Sequence, residues 1–193
     1  MKKIYTTDRL ILKTIDESDG EKVLDYYLRN KDFLAEWEPI RTNEFYQLSF
    51  HTEHLVADQK EMDAGNYLRL WIFKKDNPEK IIGALAFSNI VRGCFFSCNL
   101  GYNLDEMEIN QGYMTEAVQK GIEIIFGEYE MHRIEYGMHR IEANIMPKNA
   151  RSLRMIEKLG FYQEGLAYNY LKINGRWEDH IHMVLRNKEM EIE

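Results

Sequence analysis

A glycine-containing turn between a predicted strand and a predicted helix is the first candidate for chemistry. The strand ends with Gly101-Tyr102-Asn103-Leu104, the loop Asp105–Asn110 follows, and a helix begins after Gln111-Gly112. The first amides of such a helix have no partner within it, and they lie at the positive end of its dipole. That arrangement can bind a pyrophosphate. A glycine before a helix is also an ordinary turn, so the pattern alone leaves both interpretations open.

A second polar stretch, Asn149-Ala150-Arg151-Ser152, begins another predicted helix, which ends near Gly160. Asparagine is a favoured N-cap residue, and glycine commonly ends a helix. Both residues therefore have structural explanations, and neither alone indicates catalysis.

The cysteines and histidines do not predict a metal site. Cys94 and Cys98 are the two cysteines, and in a strand they would lie about 13 Å apart, too far for a disulfide. We expect both to be small, buried residues in a reducing cytosol. No metal-ligand spacing relates the histidines His132, His139, His180 and His182.

The elements that must position these residues alternate between strands and helices. The predicted strands are Arg9–Ile15, Leu68–Lys74, Ile81–Asn89, Phe95–Leu104, Arg140–Met146 and two closing strands on either side of Asn174-Gly175. The predicted helices are one after Ser18 or Asp19, a short one at Phe33–Trp37, and longer ones at Asn43–Gly65, Gly112–Phe126 and Asn149–Leu159. Asn-Gly between strands is typical of a type I′ hairpin. The order predicts one mixed α/β domain spanning residues 1–193.

A short tandem repeat follows the fourth predicted helix: Glu128–Ile134 reads EYEMHRI, and Glu135–Ile141 reads EYGMHRI. An odd insertion within a strand would turn every later side chain to the wrong face. In a helix, one heptad rotates the apolar stripe by only about 20°. We therefore expect the helix to extend through the first copy, with Gly137 near its C-terminus and the second copy beginning the next strand. A disordered bulge is the alternative.

Charge excludes some partners. The chain has 25 Lys and Arg against 32 Asp and Glu, a net charge of −7, which argues against direct nucleic-acid binding. The negative net charge also argues against binding to anionic membranes and favours binding to a basic partner. The N-terminal Met1–Tyr5 lacks an apolar region, so we expect no signal peptide and a cytoplasmic protein.

In combination, the motifs resemble the GNAT N-acetyltransferases: a strand, a Q-x-x-G-x-G-like turn, a helix, a strand, and N-x-x-S followed by G-F. Within that family the chain resembles the bacterial ribosomal-protein-alanine N-acetyltransferases of the RimJ/RimL type, and looks closest to RimJ. The segments that carry this resemblance are Thr6–Leu10, Phe33-Leu34, Trp37–Arg41, Phe87–Gly93, Leu100–Tyr102, Met138–Ile141, Asn174–Trp177 and Asp179-His180.

The resemblance implies the GNAT fold, a twisted, mostly antiparallel sheet that is flanked by helices and splayed at the acetyl-CoA cleft. The strand Asn99–Leu104 would part from Arg140–Met146 to admit the pantetheine arm. One amide there would stabilise the oxyanion of the tetrahedral intermediate. Asn149 would contact acetyl-CoA, and Ser152 would hydrogen-bond the departing sulfur. The implied cofactor-binding residues are Leu100, Gly101, Tyr102, Asn110, Gln111, Gly112, Tyr113, Asn149 and Ser152.

The chain departs from the family pattern at several positions. Met107 replaces a Gln or Arg and removes a polar contact, whereas Asn110 replaces a glycine and tolerates the left-handed backbone. Many relatives have Glu at Asn99 and Tyr at Ile156, so no carboxylate base carries over. Glu142 is the best remaining candidate for a base acting through water; a strand residue paired with a neighbouring cation is the alternative.

A missing base favours one class of amine. A peptide α-amine has a pKa near 7.7–8.0, so roughly a tenth is neutral at pH 7, against about one in 2,500 for a lysine amine. The predicted activity is acetyl-CoA-dependent acetylation of a protein N-terminus, with Ser152 and Glu142 as candidate catalytic residues. A ribosomal protein beginning with Ala or Ser is the implied acceptor.

The acceptor would bind beside Trp37, Glu38 and Arg41, in an enzyme that is a monomer or a homodimer and needs no metal. Two alternatives remain: acetylation of a small amine (a polyamine, aminoglycoside or amino acid), and a non-catalytic acyl-CoA-binding module. A deep closed pocket would favour the small amine, and an open groove the peptide.

Overall fold

The computed structural model describes residues 2–127, 129–130, 133–134 and 137–191. The helices are α1 Gly20–Arg29, α2 Lys31–Ala35, α3 Leu48–Asp63, α4 Tyr113–Gly127 and α5 Ala150–Lys158. The strands are β1 Ile4–Thr6, β2 Leu10–Lys13, β3 Leu68–Lys74, β4 Asn77–Val91, β5 Ser97–Leu104, β6 Tyr129–Glu130, β7 Arg133–Ile134, β8 Arg140–Ile145, β9 Tyr162–Ile173 and β10 Arg176–Arg186.

Eight of the strands form one sheet in the order β1-β2-β3-β4-β5-β8-β10-β9. Neighbouring strands are antiparallel except β5 and β8, which the crossover through α4 makes parallel. The predicted mixed α/β fold with a mostly antiparallel sheet is confirmed.

The sheet opens at the parallel pair. Ser97–Asn99 pairs with Arg140–Glu142, and the described pairing between the two strands ends there. The rest of β5, Leu100–Leu104, pairs with β4 and leaves its other backbone edge unpaired with β8. The predicted splay is therefore confirmed, and it creates a cleft in the middle of the sheet.

Two helical layers cover the sheet because its strands alternate apolar side chains between both faces. Leu70 and Ile72 belong to a core that includes Val118 of α4 and Ile156 of α5. Trp71, between them in sequence, belongs to a second core with residues of α1, α2 and α3. The cleft thus lies between elements that are anchored on both faces.

Some local predictions are wrong. The helix predicted from Asn43 is a 3-10 turn, Asn43–Tyr46, followed by α3. The fourth helix ends at Gly127, and β6 pairs with β7 as a two-stranded sheet. The extension through the first heptad, with Gly137 at its end, is therefore wrong, although the second copy does lead into β8. Cys94 is exposed, not buried, and Cys98 is buried as expected.

The closing hairpin has the predicted turn. Asn174 and Gly175 both have positive φ, 44° and 78°, as a type I′ turn requires. Within the described residues, no helix is both long and apolar enough to cross a bilayer. The same residues contain no group of three or more potential His, Cys, Asp or Glu metal ligands.

Gly83 on β4 packs against β5 with no room for a side chain. It pairs with Leu104, and a Cβ there would lie 2.6 Å from the carbonyl oxygen of Asn103. We expect Gly83→Ala to force the strands apart and lower the free energy of unfolding by about 1–3 kcal/mol, measured by urea denaturation. Gly165→Ala is the control because a Cβ at Gly165 meets nothing within 4 Å. Equal losses in both variants would contradict the prediction.

Candidate functional site

A cavity of about 380 Å³ lies where β5 parts from β8. Residues of α2, β5, the following turn, α4 and α5 surround it. Its lining contains six of the predicted site residues, Trp37, Tyr102, Asn110, Gly112, Asn149 and Ser152, together with Phe33, Leu34, Asn103, Leu104, Ile109, Met114, Thr115, Arg151, Arg154, Met155 and Lys158. The structure therefore brings the two polar stretches of the sequence to one site.

The turn before α4 has the backbone that an anion site needs. Asn110 and Gly112 both have positive φ, 61° and 82°, so the predicted left-handed asparagine is confirmed. The helix begins at Tyr113, and the amide of Glu116 donates to the carbonyl of Gly112. The preceding amides have no partner within the helix. Thr115 of this first turn lines the cavity. The start of α4 therefore offers an anion such as a diphosphate both unpaired amide donors and the positive end of the helix dipole.

Two acidic residues of the loop beside this turn, Asp105 and Glu108, face inward, whereas Glu106 is exposed. Asp105 is buried and pairs with Arg29 at 2.8 Å, and Glu108 is buried and pairs with Lys74 at 3.0 Å. These two carboxylates are therefore compensated by cations. Met107, between them, is 77% exposed and does not line the cavity.

Ser152 is positioned by its own helix. Asn149 caps α5, since its Oδ1 atom accepts the amide of Ser152 at 3.1 Å; the predicted cap is confirmed. The Ser152 hydroxyl hydrogen-bonds the phenol of Tyr102 across the cleft. Burial raises the pKa of Tyr102 to about 12, although this hydrogen bond lowers it. The phenol is therefore protonated at neutral pH.

The side chain of Tyr102 is a functional group that sequence reasoning missed, because only the backbone there was assigned a role. Its position on β5 offers one signal. Tyr102 lies two residues after the buried Leu100 and four after the buried Cys98, so it shares their face of the strand. Three cations on α5, Arg151, Arg154 and Lys158, also line the cavity.

The remaining predicted cofactor residues lie around the cavity without lining it. Leu100 is buried in the core, and Gly101 is exposed. The side-chain amide of Gln111 donates to the carbonyl of Met107 at 3.1 Å. The ring of Tyr113 packs under a guanidinium group. None of these four residues is part of the cavity lining.

Glu142 lies on β8 outside the cavity lining. Its Oε1 atom accepts from Nε of Arg140 at 2.6 Å, and Arg140 also binds Glu164. The structure thus places Glu142 in the ion-paired position that was the alternative to a base.

The predicted acceptor residues lie at a junction between two cavities. Trp37 lines the main cavity, whereas Glu38 and Arg41 line a neighbouring one of about 200 Å³; Leu34 lines both. Glu38 accepts from Asn103, a residue of the main cavity, at 3.1 Å. It also accepts from Arg41 at 2.8 Å.

Comparisons with known proteins agree with this geometry. Residues 9–162 match the family model described as Acetyltransferase (GNAT) domain. The chain is 38% identical to the [Ribosomal protein uS5]-alanine N-acetyltransferase of Escherichia coli (strain K12), over 91% of this chain and 87% of that protein.

Solved structures show the same fold. The ribosomal-protein-S5-alanine acetyltransferase of Vibrio fischeri has a TM-score of 0.88 and 31% identity, covering 97% of this chain and 98% of that one. Mycobacterium smegmatis RimJ in complex with CoA-disulfide has a TM-score of 0.86 at 22% identity, covering 100% and 90%. On the family match and these relatives, the chain belongs to the GNAT acetyltransferase family.

Proposed function

We propose that this protein transfers the acetyl group of acetyl-CoA to the N-terminal α-amine of a ribosomal protein. The observation that carries the proposal is the cleft itself, which joins the anion-binding turn at Asn110–Gly112 to the hydroxyl pair of Ser152 and Tyr102. Relatives named for ribosomal-protein acetylation support the acceptor. A ribosomal acceptor places the reaction in the cytoplasm.

The residues around the cleft fit the chemical parts of acetyl-CoA. The amides at the start of α4 suit the diphosphate, and Arg151, Arg154 and Lys158 add positive charge for its phosphates. The edge of Leu100–Leu104 that β8 leaves unpaired offers backbone donors and acceptors to the amide groups of the pantetheine arm. An amide on that edge can stabilise the oxyanion of the intermediate.

The reaction is a direct attack. The neutral amine adds to the thioester carbonyl, the tetrahedral intermediate expels the CoA thiolate, and the amine loses its proton to solvent. Ser152 donates a hydrogen bond to the departing sulfur, and Tyr102 orients that hydroxyl. Because Arg140 engages Glu142, the mechanism assigns no proton to Glu142 and relies on the low pKa of an α-amine.

The shape of the site favours a polypeptide acceptor. Leu34 lines both cavities, and Glu38 and Arg41 line the second one, so a second concave surface beside the main cavity is present for the residues that follow the N-terminus of a peptide. The net charge of −7 suits a basic polypeptide such as a ribosomal protein.

An acceptor panel with acetyl-CoA and intact-mass detection tests the function. The panel pairs peptides with free Ala, Ser or Met termini with α-blocked peptides that contain lysine, plus spermidine and an aminoglycoside. We expect addition of one acetyl group to free Ala or Ser termini, and at least about a hundredfold slower reaction at lysine, because so little lysine is neutral at pH 7. Transfer only to the small amines would move the function to that class. Acetyl-CoA binding without any transfer would indicate a non-catalytic module.

A further inference from the structure

Arg9, in the turn between β1 and β2, links the N-terminal strands to the turn that precedes α4. Its Nη1 atom donates to the carbonyl oxygen of Gln111 at 3.0 Å. Its guanidinium also lies over the ring of Tyr113, 4.5 Å from the centroid. A Cβ on Gly112 would lie 3.4 Å from its Nη2 atom. One side chain therefore contacts Gln111 and Tyr113 and lies beside Gly112 between them.

The same arginine neutralises a carboxylate in the first turn of α4. Nε of Arg9 lies 2.7 Å from Oε2 of Glu116, and the backbone amide of Arg9 donates to Oε1 at 2.8 Å. The hydroxyl of Thr7 donates to Oε1 at 2.6 Å. Without the guanidinium of Arg9, the charge of Glu116 would remain near the unpaired amides at the start of α4, where it would repel an anion.

The position of Arg9 separates this role from direct catalysis. Asn110 and Gly112 line the cavity, whereas Arg9, Gln111 and Glu116 do not. Arg9 thus holds the turn from the outer side and does not touch the space where the thioester would react.

We infer that Arg9 is a positioning residue for acetyl-CoA, which fixes the carbonyl of Gln111 and cancels the charge of Glu116 so that the turn accepts a diphosphate. The inference rests on the proposed function for its ligand. It predicts that Arg9 acts on the diphosphate part of acetyl-CoA and leaves the reacting thioester unaffected.

The test compares Arg9→Met with the wild-type chain. Methionine keeps an apolar stem against Tyr113 while removing the charge and the donors. We expect the Kd of acetyl-CoA, measured by calorimetry, to rise about tenfold or more, as loss of charge-assisted hydrogen bonds implies. With acetyl-pantetheine, which lacks the diphosphate, kcat/KM on an Ala-terminated peptide should stay within about twofold of wild type, since the lost contacts act on the missing group.

Two further variants sharpen the result. Arg92→Met is the matched control, because Arg92 is also exposed and also binds a backbone carbonyl, that of Gly65, at 2.8 Å. It should leave both measurements unchanged. The double variant Arg9→Met/Glu116→Gln should recover part of the lost acetyl-CoA affinity, because the carboxylate charge is gone.

The outcomes separate this inference from the function on which it rests. Unchanged acetyl-CoA affinity in Arg9→Met, or an equal loss with acetyl-pantetheine, would overturn the positioning role while the proposed function stands. A wild-type chain that binds acetyl-CoA but acetylates no N-terminus would overturn the function and leave the cofactor role of Arg9 open to the same binding test. A wild-type chain that binds no acetyl-CoA would overturn both.

Discussion

Ser152→Ala should lower kcat for peptide acetylation by about a hundredfold, with the Kd of acetyl-CoA unchanged. Removing one hydrogen-bond donor aimed at charge that develops in the transition state typically lowers kcat by about a hundredfold to a thousandfold. A thiolate is a tolerable leaving group, which keeps the expected loss at the lower end of that range. Intact-mass assays on reactions quenched at timed intervals give kcat, and calorimetry gives the Kd of acetyl-CoA. A kcat within a few-fold of wild type would show that the departing sulfur needs no partner here.

Tyr102→Phe distinguishes the contribution of the Tyr102 phenol to kcat from that of the Ser152 hydroxyl. It removes the hydrogen-bond partner of Ser152 but keeps Ser152 itself, so we expect about a tenfold loss in kcat. Because the pKa of Tyr102 is raised to about 12, the phenol of the wild-type protein does not titrate near neutral pH. The wild-type rate should therefore rise with pH only as the acceptor α-amine loses its proton, at about pH 8. Ser49→Ala, on α3 outside the cavity lining, is the control for nonspecific effects.

Arg29→Met should lower the free energy of unfolding by about 3 kcal/mol, because it leaves a buried carboxylate without its main partner. Arg29 lies 2.8 Å from Asp105, also binds Asp25, and donates to the carbonyl of Ile81. After the substitution, Lys80 is the cation that remains near Asp105 among the residues that the structure describes, at 3.7 Å. Urea denaturation of both proteins at neutral pH measures the difference.

Two arms test the cause of that loss. Arg29→Met/Asp105→Asn should be more stable than Arg29→Met, since a neutral amide costs less to bury unpaired. In the wild type, desolvation raises the pKa of Asp105, but the hydrogen bonds from Arg29 and Met107 lower it by more, so the net pKa lies below the usual range. A lowered pKa stabilises the fold above the unfolded pKa of about 3.9, and this is lost as pH falls through the folded value. The gap between wild type and Arg29→Met should therefore shrink below about pH 4. A gap independent of pH would point to lost packing.

The ion pairs also show how far sequence reasoning reaches. The strand, turn and helix around Asn110 were predictable, because each depends on residues close together in the chain. Asp105 and Glu108, in the loop before that helix, bind Arg29 and Lys74, which come from α1 and β3, and no local pattern indicates those partners.

The tandem heptad shows a different limit. Periodicity favoured a longer α4, because a heptad nearly preserves a helical stripe. The helix ends at Gly127, and Tyr129–Glu130 pairs with Arg133–Ile134. Most helical stability in proteins comes from tertiary packing of an apolar face and less from intrinsic propensity, so the period of the pattern alone does not fix where this helix ends.

Local pattern and family resemblance were sufficient for the fold, the left-handed Asn110, the Asn149 cap and the splay of β5. The cap and the order of elements follow from residues close together in the chain, whereas the splay and the left-handed Asn110 came from the resemblance. The pairing of Ser152 with Tyr102 and that of Arg9 with Glu116 needed the folded chain. The partners in each pair are 50 and 107 residues apart, and they meet because sheet order and helix packing place distant segments side by side. Residues close together in the chain determine each helix, strand and turn of this site, whereas the contacts between its functional groups depend on which elements become neighbours in the fold.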